Sequence, residues 1–424
     1  MTKNIVLLVM DTARAANCSC YGYDRETTPF LEELAEEGTT YERCYAQAPW
    51  TLPSHYSFFT GEYPSDHGKL SKEDRGGTDR DTLPEILSRK GYTTIGLSSN
   101  AYVSKMYGFD EMFDEFHFNS PGQDLLFPDD EIFHDLVHGE EEWDSTARKY
   151  IDFVARSVRE LSPKSLLNGA YYLLTQKFGR SPDWGDDGAL FVEERVKEKN
   201  IEEPFFLFVN YVEPHFPYMP PEEYAERWLD HDLDKVYDVA SVPPHRRLGT
   251  EDEEAAEILQ ALYDAELRYL DDRIRELHRH LEEATDRDTI FIVTSDHGEF
   301  FGENGLWEHH GGLGEEVLHV PLVTAGGHDD GGTGIVELRD LFDYIQGIPD
   351  GEETFQEREE VLAEYLGIGS HVWEHDFGEY DRCVVARRDI EGLDIVTEAG
   401  EGDPGRRVRK LQTLKGDETD GLDI

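Results

Sequence analysis

Cysteine is rare in this sequence, with four residues among 424, at positions Cys18, Cys20, Cys44 and Cys383. Their spacing fits neither a disulfide framework nor a zinc ribbon. Cys18 and Cys20 are separated by one residue, which suits neither a redox motif nor a zinc knuckle. A chain of this length can bury about three quarters of the surface that it exposes when unfolded, so it needs no disulfides. We expect the four cysteines to be small buried side chains.

Positive charge is scarce as well. Lys and Arg number 40 against 92 Asp and Glu, which gives a formal net charge of −52. This charge repels nucleic acids and anionic lipids, and it excludes a basic docking patch as the main function. An acid-rich, lysine-poor composition is typical of halophilic proteins that fold in molar salt, where the Debye length falls to about 3 Å. An ordinary acidic protein with a solvated surface is the alternative.

Long apolar runs are missing too. The run from Ile5 to Met10 ends at Asp11 and is followed by no small-residue cleavage site. It is far shorter than the roughly 20 residues that a membrane-spanning helix needs. We therefore expect a cytoplasmic protein without a signal peptide or a membrane span. The 12% aromatic and 38% hydrophobic content nevertheless indicates a folded chain rather than a disordered acidic polymer.

Short apolar segments alternate with helical patterns along the chain. The alternation predicts an α/β fold with a mostly parallel sheet and helices on both faces. Buried strands are predicted at 4–10, 93–97, 205–209 and 289–293, and helices at 29–38, 83–89 and 251–283.

The organisation predicted from these patterns is one large catalytic domain, 1–335, and a small α+β C-terminal subdomain, 336–424. The subdomain contains short segments at 361–365, 384–387 and 394–397, and its polar tail from residue 400 is expected to fray. Residues 118–200 lack strand alternation and include a charged, aromatic helical stretch, Trp143–Leu161. We interpret 118–200 as an insertion or cap near the sheet edge or the mouth of the active site.

Acidic side chains follow the first and the last of the predicted strands. Asp11 comes directly after one, and Asp296 and His297 follow the other. Sites in open α/β sheets lie at the carboxyl ends of strands. Carboxylates suit Mg²⁺, Ca²⁺ or Mn²⁺, and an imidazole shifts the preference toward Mn²⁺ or Zn²⁺. A metal site is therefore predicted, and a helix or turn cap is the alternative for Asp296 alone.

The segment Trp50-Thr51-Leu52-Pro53-Ser54-His55 places a hydroxyl at the start of a short helix that ends at Gly61. A helix N-terminus favours an anion such as a phosphate or sulfate oxygen. A threonine alkoxide beside a divalent cation would be an activated nucleophile. The alternative is that Thr51 only caps the helix.

Several further motifs occur in order along about the first 325 residues. They are 4–14, 20–23, 27–29, 50–54, 59–64 with 67–68, 213–218, 294–299, 302–307 and 320–322. Together they resemble the sulfatase family of the alkaline phosphatase superfamily, in a haloarchaeal form with threonine at the nucleophile position. The resemblance implies an alkaline-phosphatase-like sheet between helices, and it is loose over the last hundred residues.

The resemblance also implies residue roles. One divalent cation (Mg, Ca or Mn) would be held by Asp11, Thr51, Asp296 and His297, with Thr51 as the nucleophile. His215 and His309 would contact the transferred group or the leaving oxygen, although the segment 308–311 aligns ambiguously. Arg14 and His55 fall at positions expected to bind substrate.

The sequence departs from true sulfatases at three positions. Those enzymes oxidise a Cys or Ser to formylglycine, but the methyl group on the β-carbon of Thr51 prevents formation of an aldehyde. The arginine of the modification signal is replaced by His55, and the acid often found two residues after Arg14 is Ala16. We therefore expect no formylglycine. Superfamily relatives that use threonine act on phosphate esters or transfer phospho-groups, which favours phosphate.

The predicted function is a metal-dependent hydrolase or transferase that acts on a small anionic phosphate or sulfate ester. No nucleic-acid or membrane partner is expected. One alternative is a catalytically inactive relative that binds an anion or a sugar, although retention of Asp11, Thr51, Asp296 and His297 argues against it. A third possibility is a two-metal phosphodiesterase, for which Glu213, His215 and His309 are poor candidate ligands.

Overall fold

Fifteen strands occur in the part of the chain that the computed structural model describes, namely 2–119, 186, 188–199, 201–231, 233–327, 334–368, 381–389 and 392–399. The strands are β1 (Asn4–Met10), β2 (Thr39–Thr40), β3 (Cys44–Tyr45), β4 (Thr93–Ser98), β5 (Glu115–Phe118), β6 (Phe205–Tyr211), β7 (Thr289–Thr294), β8 (Phe300–Phe301), β9 (Trp307–Glu308), β10 (His319–Val320), β11 (Leu322–Ala325), β12 (Val336–Glu337), β13 (Glu360–Tyr365), β14 (Arg382–Asp389) and β15 (Leu393–Ala399).

Ten α-helices connect the strands within these described ranges. They are α1 (Pro29–Glu37), α2 (Thr51–Thr60), α3 (Pro64–His67), α4 (Leu83–Arg89), α5 (Ala189–Glu198), α6 (Glu222–Ala225), α7 (Leu233–Ala240), α8 (Glu253–Ala284), α9 (Glu315–Leu318) and α10 (Leu341–Gly347). None of these helices is both long and apolar enough to cross a bilayer.

The central sheet has seven strands in the order β2-β11-β7-β1-β6-β4-β5. The five strands from β7 to β5 are parallel, while β11 and β2 add an antiparallel edge. This arrangement confirms the predicted mostly parallel sheet. The short strands β2, β5 and β11 were not predicted, because two to four residues are too few to show a period.

The register of the sheet brings the ends of its central strands together. Val9 in β1 lies opposite Thr294 in β7 on one side and Asn210 in β6 on the other. Ser98 in β4 is likewise paired with Asn210. The loops that begin at Asp11 and Ser295, and the loops after β4 and β6, therefore leave the same edge of the sheet.

The long helix α8 covers one face of the sheet, and the sequence predicted it almost at its observed bounds. It begins after Asp252, whose side chain accepts a hydrogen bond from the backbone N–H of Ala255 at 3.1 Å. Its apolar positions, such as Ile258, Leu262 and Leu270, are buried. Burial of such a stripe stabilises the fold by about 25 cal/mol per Å² of apolar surface.

The C-terminal region forms a small antiparallel sheet in the order β13-β14-β15, and the three short segments noted there in the sequence fall in its three strands. The backbone N–H of Glu364 in β13 donates to the carbonyl of Gln47 at 2.8 Å. The Glu364 carboxylate accepts from the backbone and the hydroxyl of Ser65. Polar contacts thus connect this sheet to the loops that flank α2.

The predicted insertion at 118–200 lies largely outside the described residues, as do the stretch 143–161 and the tail from residue 400. Its last part is described as α5, whose Glu193 pairs with Arg273 of α8 at 3.1 Å. Of the cysteines, Cys18, Cys44 and Cys383 are buried and Cys20 is partly exposed, and all four are free thiols.

Candidate active site

The turn after β1 is held by contacts from both neighbouring strands. The N–H of Asp11 donates to the carbonyl of Tyr211 at 2.9 Å. Thr12 has a φ of 59°, in the left-handed region that only a few per cent of non-glycine residues adopt. In this conformation its N–H donates to Oδ1 of Asp296 at 3.3 Å, and its hydroxyl donates to the carbonyl of Pro214 at 2.6 Å. The turn therefore fixes Asp11 against Asp296.

His297 directs one ring nitrogen at a group of oxygens. Its Nδ1–H donates to the carbonyl of Gly298 at 2.9 Å, so Nε2 carries the lone pair. Nε2 lies 3.7 Å from Oδ1 of Asp11, 3.5 Å from Oδ2 of Asp296 and 3.4 Å from Oγ1 of Thr51. A histidine oriented through its other nitrogen in this way is typical of metal sites.

Thr51 is the first residue of α2, after Trp50 at the N-cap position. Its Oγ1 accepts a hydrogen bond from Nδ2 of Asn100 at 3.3 Å, and the same amide also donates to Oδ2 of Asp11. The side-chain oxygen Oδ1 of Asn100 accepts from the N–H of Tyr102 at 2.7 Å, which fixes the orientation of the side-chain amide. Asn100 thus connects the predicted nucleophile to the carboxylate of Asp11.

Sequence reasoning missed Asn100, although a signal for it existed. Asn100 follows β4 by two residues, in a Ser-Ser-Asn stretch after a predicted strand of the same parallel sheet. The expectation that sites lie at the carboxyl ends of such strands applies to β4 as it does to β1 and β7.

His55 lies one helical turn after Thr51 and is fully buried. Its Nδ1–H donates to the carbonyl of Thr51 at 2.9 Å and lies 3.4 Å from Oδ2 of Asp296. The ring packs against Phe58 and Phe208. Burial lowers the pKa of His55 to about 3, so the imidazole is neutral. The structure places this predicted substrate-binding residue behind Thr51, among aromatic rings.

The two carboxylates of the site lack enough hydrogen-bond donors. Among the described residues, Oδ1 of Asp11 and Oδ2 of Asp296 have no hydrogen-bond partner, and both side chains are completely buried. Burial raises the pKa of Asp296 well above its usual range, and the charge of Asp11 raises it further. Burial also raises the pKa of Asp11. Such a pair needs either a proton or a cation between its oxygens.

The donor set fits a divalent cation. One ligand atom each from Asp11, Asp296 and His297 lies within 4.8 Å of the others. Two carboxylates, one imidazole and the nearby hydroxyl of Thr51 form a site rich in oxygen, which Mg²⁺, Ca²⁺ and Mn²⁺ prefer. The unpartnered oxygens supply the lone pairs that such an ion would occupy.

His215 and His309 lie next to this group. The ring of His309 is 4.7 Å from that of His297 and 5.5 Å from that of His215, between centroids. His215 is partly buried, and its Nδ1–H donates to the carbonyl of Phe216 at 2.6 Å. In the segment 308–311 it is therefore His309 that contacts the rings of both His297 and His215.

Glu299 was not singled out from the sequence, yet it contacts His309 from a fully buried position. Its Oε1 lies 3.5 Å from Nδ1 of His309, and its Oε2 accepts the hydroxyl of Tyr218 at 3.0 Å. Burial raises the pKa of Glu299 well above the usual range, and the charge of Glu308 contributes to the rise. The motif 294–299 contains Glu299, but no spacing rule indicates which residue it contacts.

Arg14 and Glu213 are occupied by contacts within the protein. Nη1 of Arg14 pairs with Oε1 of Glu303 at 2.9 Å, and its guanidinium lies over the ring of Phe301. Glu213 accepts the N–H of Ala189 at 2.6 Å, at the start of α5, and the N–H of Val212 at 3.1 Å. Both Glu213 oxygens thus accept from local backbone, and Glu213 stays a poor candidate ligand for the alternative of a two-metal site.

Known proteins resemble this chain in sequence and in fold. A family model described as Sulfatase matches residues 3–332. The arylsulfatase of Clostridium perfringens is 26% identical, over 92% of this chain and 85% of the relative. Human iduronate 2-sulfatase is 24% identical over 76% of this chain, which spans 59% of that longer protein. Among solved structures, the phosphonate monoester hydrolase SpPMH from Silicibacter pomeroyi has a TM-score of 0.62 at 18% identity, covering 99% and 95% of the two chains.

Proposed function

The chain belongs to the sulfatase family and is a hydrolase of sulfate or phosphate esters, and from that premise we propose that it cleaves phosphate esters by in-line attack of Thr51. One observation carries the proposal. The Thr51 hydroxyl lies at a helix N-terminus, 3.4 Å from Nε2 of His297, and shares the Asn100 amide with Asp11. A hydroxyl that only caps a helix has no need of these partners.

The proposed ligands of a single divalent cation are Asp11, Asp296, His297 and Thr51. When bound, the cation supplies electrostatic stabilisation of the Thr51 alkoxide and of the charge on the ester oxygens. The chain itself orients these groups. Asn100 holds Thr51 and Asp11 together, while His55 fixes the first turn of α2 through the carbonyl of Thr51.

The choice of phosphate over sulfate rests on the chemistry of Thr51. A sulfatase with formylglycine releases sulfate from an aldehyde hydrate, but the β-carbon of threonine carries a methyl group and forms no aldehyde. A sulfo-threonine would therefore accumulate or stall. A phospho-threonine remains open to attack by water at phosphorus. Threonine thus suits a two-step phosphate mechanism without any modification of the chain.

The proposed reaction has two displacements. Thr51 loses its proton to water, its Oγ forms a bond to phosphorus, and the bond from phosphorus to the alcohol oxygen breaks. That oxygen takes a proton from His309 or His215. In the second step water attacks phosphorus and gives a proton back to the same histidine, the bond from phosphorus to Oγ of Thr51 breaks, and Oγ takes a proton from water. An acceptor alcohol in place of water would make the reaction a transfer.

The supporting residues have distinct roles in this proposal. Glu299 lies 3.5 Å from Nδ1 of His309 and would hold the ring with its other nitrogen toward the leaving group. The ion pair with Glu303 positions Arg14. His55 supports Thr51 through the hydrogen bond to its carbonyl. The substrate would be a small anionic ester.

A substrate panel with two Thr51 variants tests the proposal. Aryl phosphate monoester, aryl phosphodiester and aryl sulfate are assayed with Mn²⁺ or Mg²⁺ in high salt. Thr51→Ala should lose turnover by at least about 10³-fold, since the nucleophile is removed, and Thr51→Ser should stay active. Thr60→Ala, at the other end of α2, is the matched control because its hydroxyl contacts local backbone, donating to the carbonyl of Tyr56 and accepting from the N–H of Glu62.

Mass spectrometry of the quenched reaction should find a phosphoryl or phosphodiester adduct on Thr51. A sulfo adduct that accumulates would replace phosphate by sulfate as the substrate. Binding of the esters without turnover in the wild type would favour the inactive anion- or sugar-binding relative. Undiminished turnover in Thr51→Ala would rule out the nucleophile and leave Thr51 as a helix cap.

A further inference from the structure

A second group of potential metal ligands lies beside His309, apart from the site described above. It consists of His245, Glu308 and His310, which we call the His-Glu-His cluster. Oε2 of Glu308 is 2.6 Å from Nε2 of His310 and 3.4 Å from Nδ1 of His245. One ligand atom from each residue lies within 4.8 Å of the others.

The backbone directs two consecutive histidines to the two groups. The ring of His309 contacts His297 and His215, whereas the ring of His310 lies 5.9 Å from that of His245. His309 and His310 also contact each other, with centroids 4.6 Å apart. The His-Glu-His cluster is therefore adjacent to the proposed active site and shares no ligand with it.

Glu308 occupies its position at a conformational cost. Its φ is 54°, a left-handed value that few residues with a side chain adopt. The residue is only 7% exposed. The strained backbone places a buried carboxyl group between two imidazoles.

Arg247 interacts electrostatically with Glu308, but its guanidinium contacts other groups. The guanidinium of Arg247 lies over the ring of Trp307 and donates to the carbonyls of Val242 at 2.7 Å and Val239 at 3.0 Å. Among the described residues, Glu308 pairs with the imidazoles of His245 and His310.

We propose that the His-Glu-His cluster binds a transition-metal ion, Zn²⁺ above all, as a second cation site of this protein. Two imidazoles and one carboxylate form a known three-ligand set for Zn²⁺, with the fourth position open to water or substrate. Zn–N bonds of about 2.0–2.1 Å place tetrahedral ligand atoms about 3.3 Å apart. The 3.4 Å separation between His245 and Glu308 matches that spacing.

The ligand atoms of His245 and His310 lie within 4.8 Å of each other, and the pair formed by His310 and Glu308 needs only a small adjustment. The 2.6 Å contact between His310 and Glu308 is a hydrogen bond, and the proton on Nε2 must leave when a metal binds. The pair then opens by less than 1 Å to reach the same spacing. Two nitrogen donors disfavour Mg²⁺ and Ca²⁺ here, in contrast to the oxygen-rich group around Asp11 and Asp296. The two sites should therefore differ in metal preference.

The test is metal stoichiometry on the full chain. Protein stripped by a chelator is dialysed against Zn²⁺ in high salt and analysed for bound metal. Glu308→Gln and His245→Gln should each hold one equivalent of Zn²⁺ fewer than the wild type. Asp296→Asn should keep the equivalent bound at the His-Glu-His cluster, because it alters the first site alone. His319→Gln is the matched control, since that imidazole contacts the carbonyl of Glu42 elsewhere in the fold.

Co²⁺ in place of Zn²⁺ identifies which site is filled. The visible absorption of tetrahedral Co²⁺ should persist in Asp296→Asn and disappear in Glu308→Gln and His245→Gln. His245 is partly exposed, so its variant tests the site even if Glu308→Gln fails to fold. A Zn²⁺ content that is undiminished in both His245→Gln and Glu308→Gln would overturn the proposal. The result is independent of Thr51, because no turnover is measured.

Discussion

Two pairs of buried aspartates contrast in this protein. Asp11 and Asp296, the sheet-edge pair, follow the carboxyl ends of β1 and β7, and the other pair lies on α8. Asp264 of α8 is as buried as Asp11 and Asp296, yet its oxygens accept from Asn17 at 2.9 Å, Tyr23 at 2.8 Å and Arg25 at 2.6 Å. The α8 carboxylate is fully satisfied by the protein. The sheet-edge pair keeps unpartnered oxygens.

Asp271, also on α8, likewise has a hydrogen-bond donor for each of its oxygens. Its two oxygens accept the N–H groups of Phe30 at 2.8 Å and Leu31 at 3.0 Å, at the start of α1. The hydroxyl of Thr28, at the N-cap of α1, makes no capping hydrogen bond, so Asp271 takes that role from another helix. A buried acid with a donor for each oxygen is structural, and a buried acid pair with unfilled lone pairs is prepared for a cation.

The largest expected effect is on metal affinity. Asp11→Asn and Asp296→Asn should each weaken Mn²⁺ binding by about 100-fold or more in calorimetric titration, because the site cannot lose one of its two carboxylates. Asp264→Asn changes an equally buried aspartate and should leave Mn²⁺ affinity unchanged. Wild-type affinity in both sheet-edge variants would remove the distinction between the two sets.

The salt dependence of stability tests the acidic surface rather than the two buried sets. The 52 excess negative charges repel one another over a Debye length of about 10 Å at 0.1 M salt. Roughly 2–4 M KCl should screen them and raise the melting temperature by about 10 °C or more. Sucrose at matched osmolarity, which stabilises by exclusion without screening, is the control. A melting temperature that does not depend on KCl would contradict the halophilic interpretation of the composition.

Replacing one aspartate by asparagine should change the stability of the metal-free protein in opposite directions in the two sets. Asp264→Asn removes acceptors for Tyr23 and Arg25 and should lower the free energy of unfolding by about 1–3 kcal/mol. Asp296→Asn keeps an oxygen for the N–H groups of Thr12 and His297 and removes repulsion from Asp11. It should raise that free energy by up to about 1 kcal/mol. Urea unfolding in chelator measures both, and losses of equal size would show that the two sets do not differ.

The sequence predicted the central strands of the fold closely, because its signals there are continuous and local. The apolar run of β1 and the long period of α8 were predicted at nearly their observed bounds. Asp11, Asp296 and His297 followed from the position of strand ends and from the resemblance. The antiparallel edge strands could not be predicted, since residues as few as Thr39–Thr40 acquire their conformation only from pairing with β11.

Residues whose role depends on long-range contacts were the ones missed. Asn100 and Glu299 each contact the site from a separate loop, and no spacing in the sequence connects them to Thr51 or His309. His309 contacts one group of residues and His310 the other, and this difference depends on the backbone torsions around Glu308. The positive φ of Glu308 is not one that its residue type suggests. His245 joins the same cluster from more than sixty positions away along the chain.

The smallest expected effect concerns pH, and it extends the comparison to the histidines of the two regions. Burial lowers the pKa of His278 on α8, where the ring packs against Phe30 and Phe291, just as burial lowers that of His297. The unfolded state, with a histidine pKa near 6.5, then binds more protons than the native state as the pH falls below that value. Stability is therefore lost on acidification from about pH 7.5 to 5.5. His278→Gln should flatten this loss by an amount below about 1.4 kcal/mol per pH unit, as measured by urea unfolding of the metal-free protein. Identical slopes for His278→Gln and the wild type would show that His278 does not contribute.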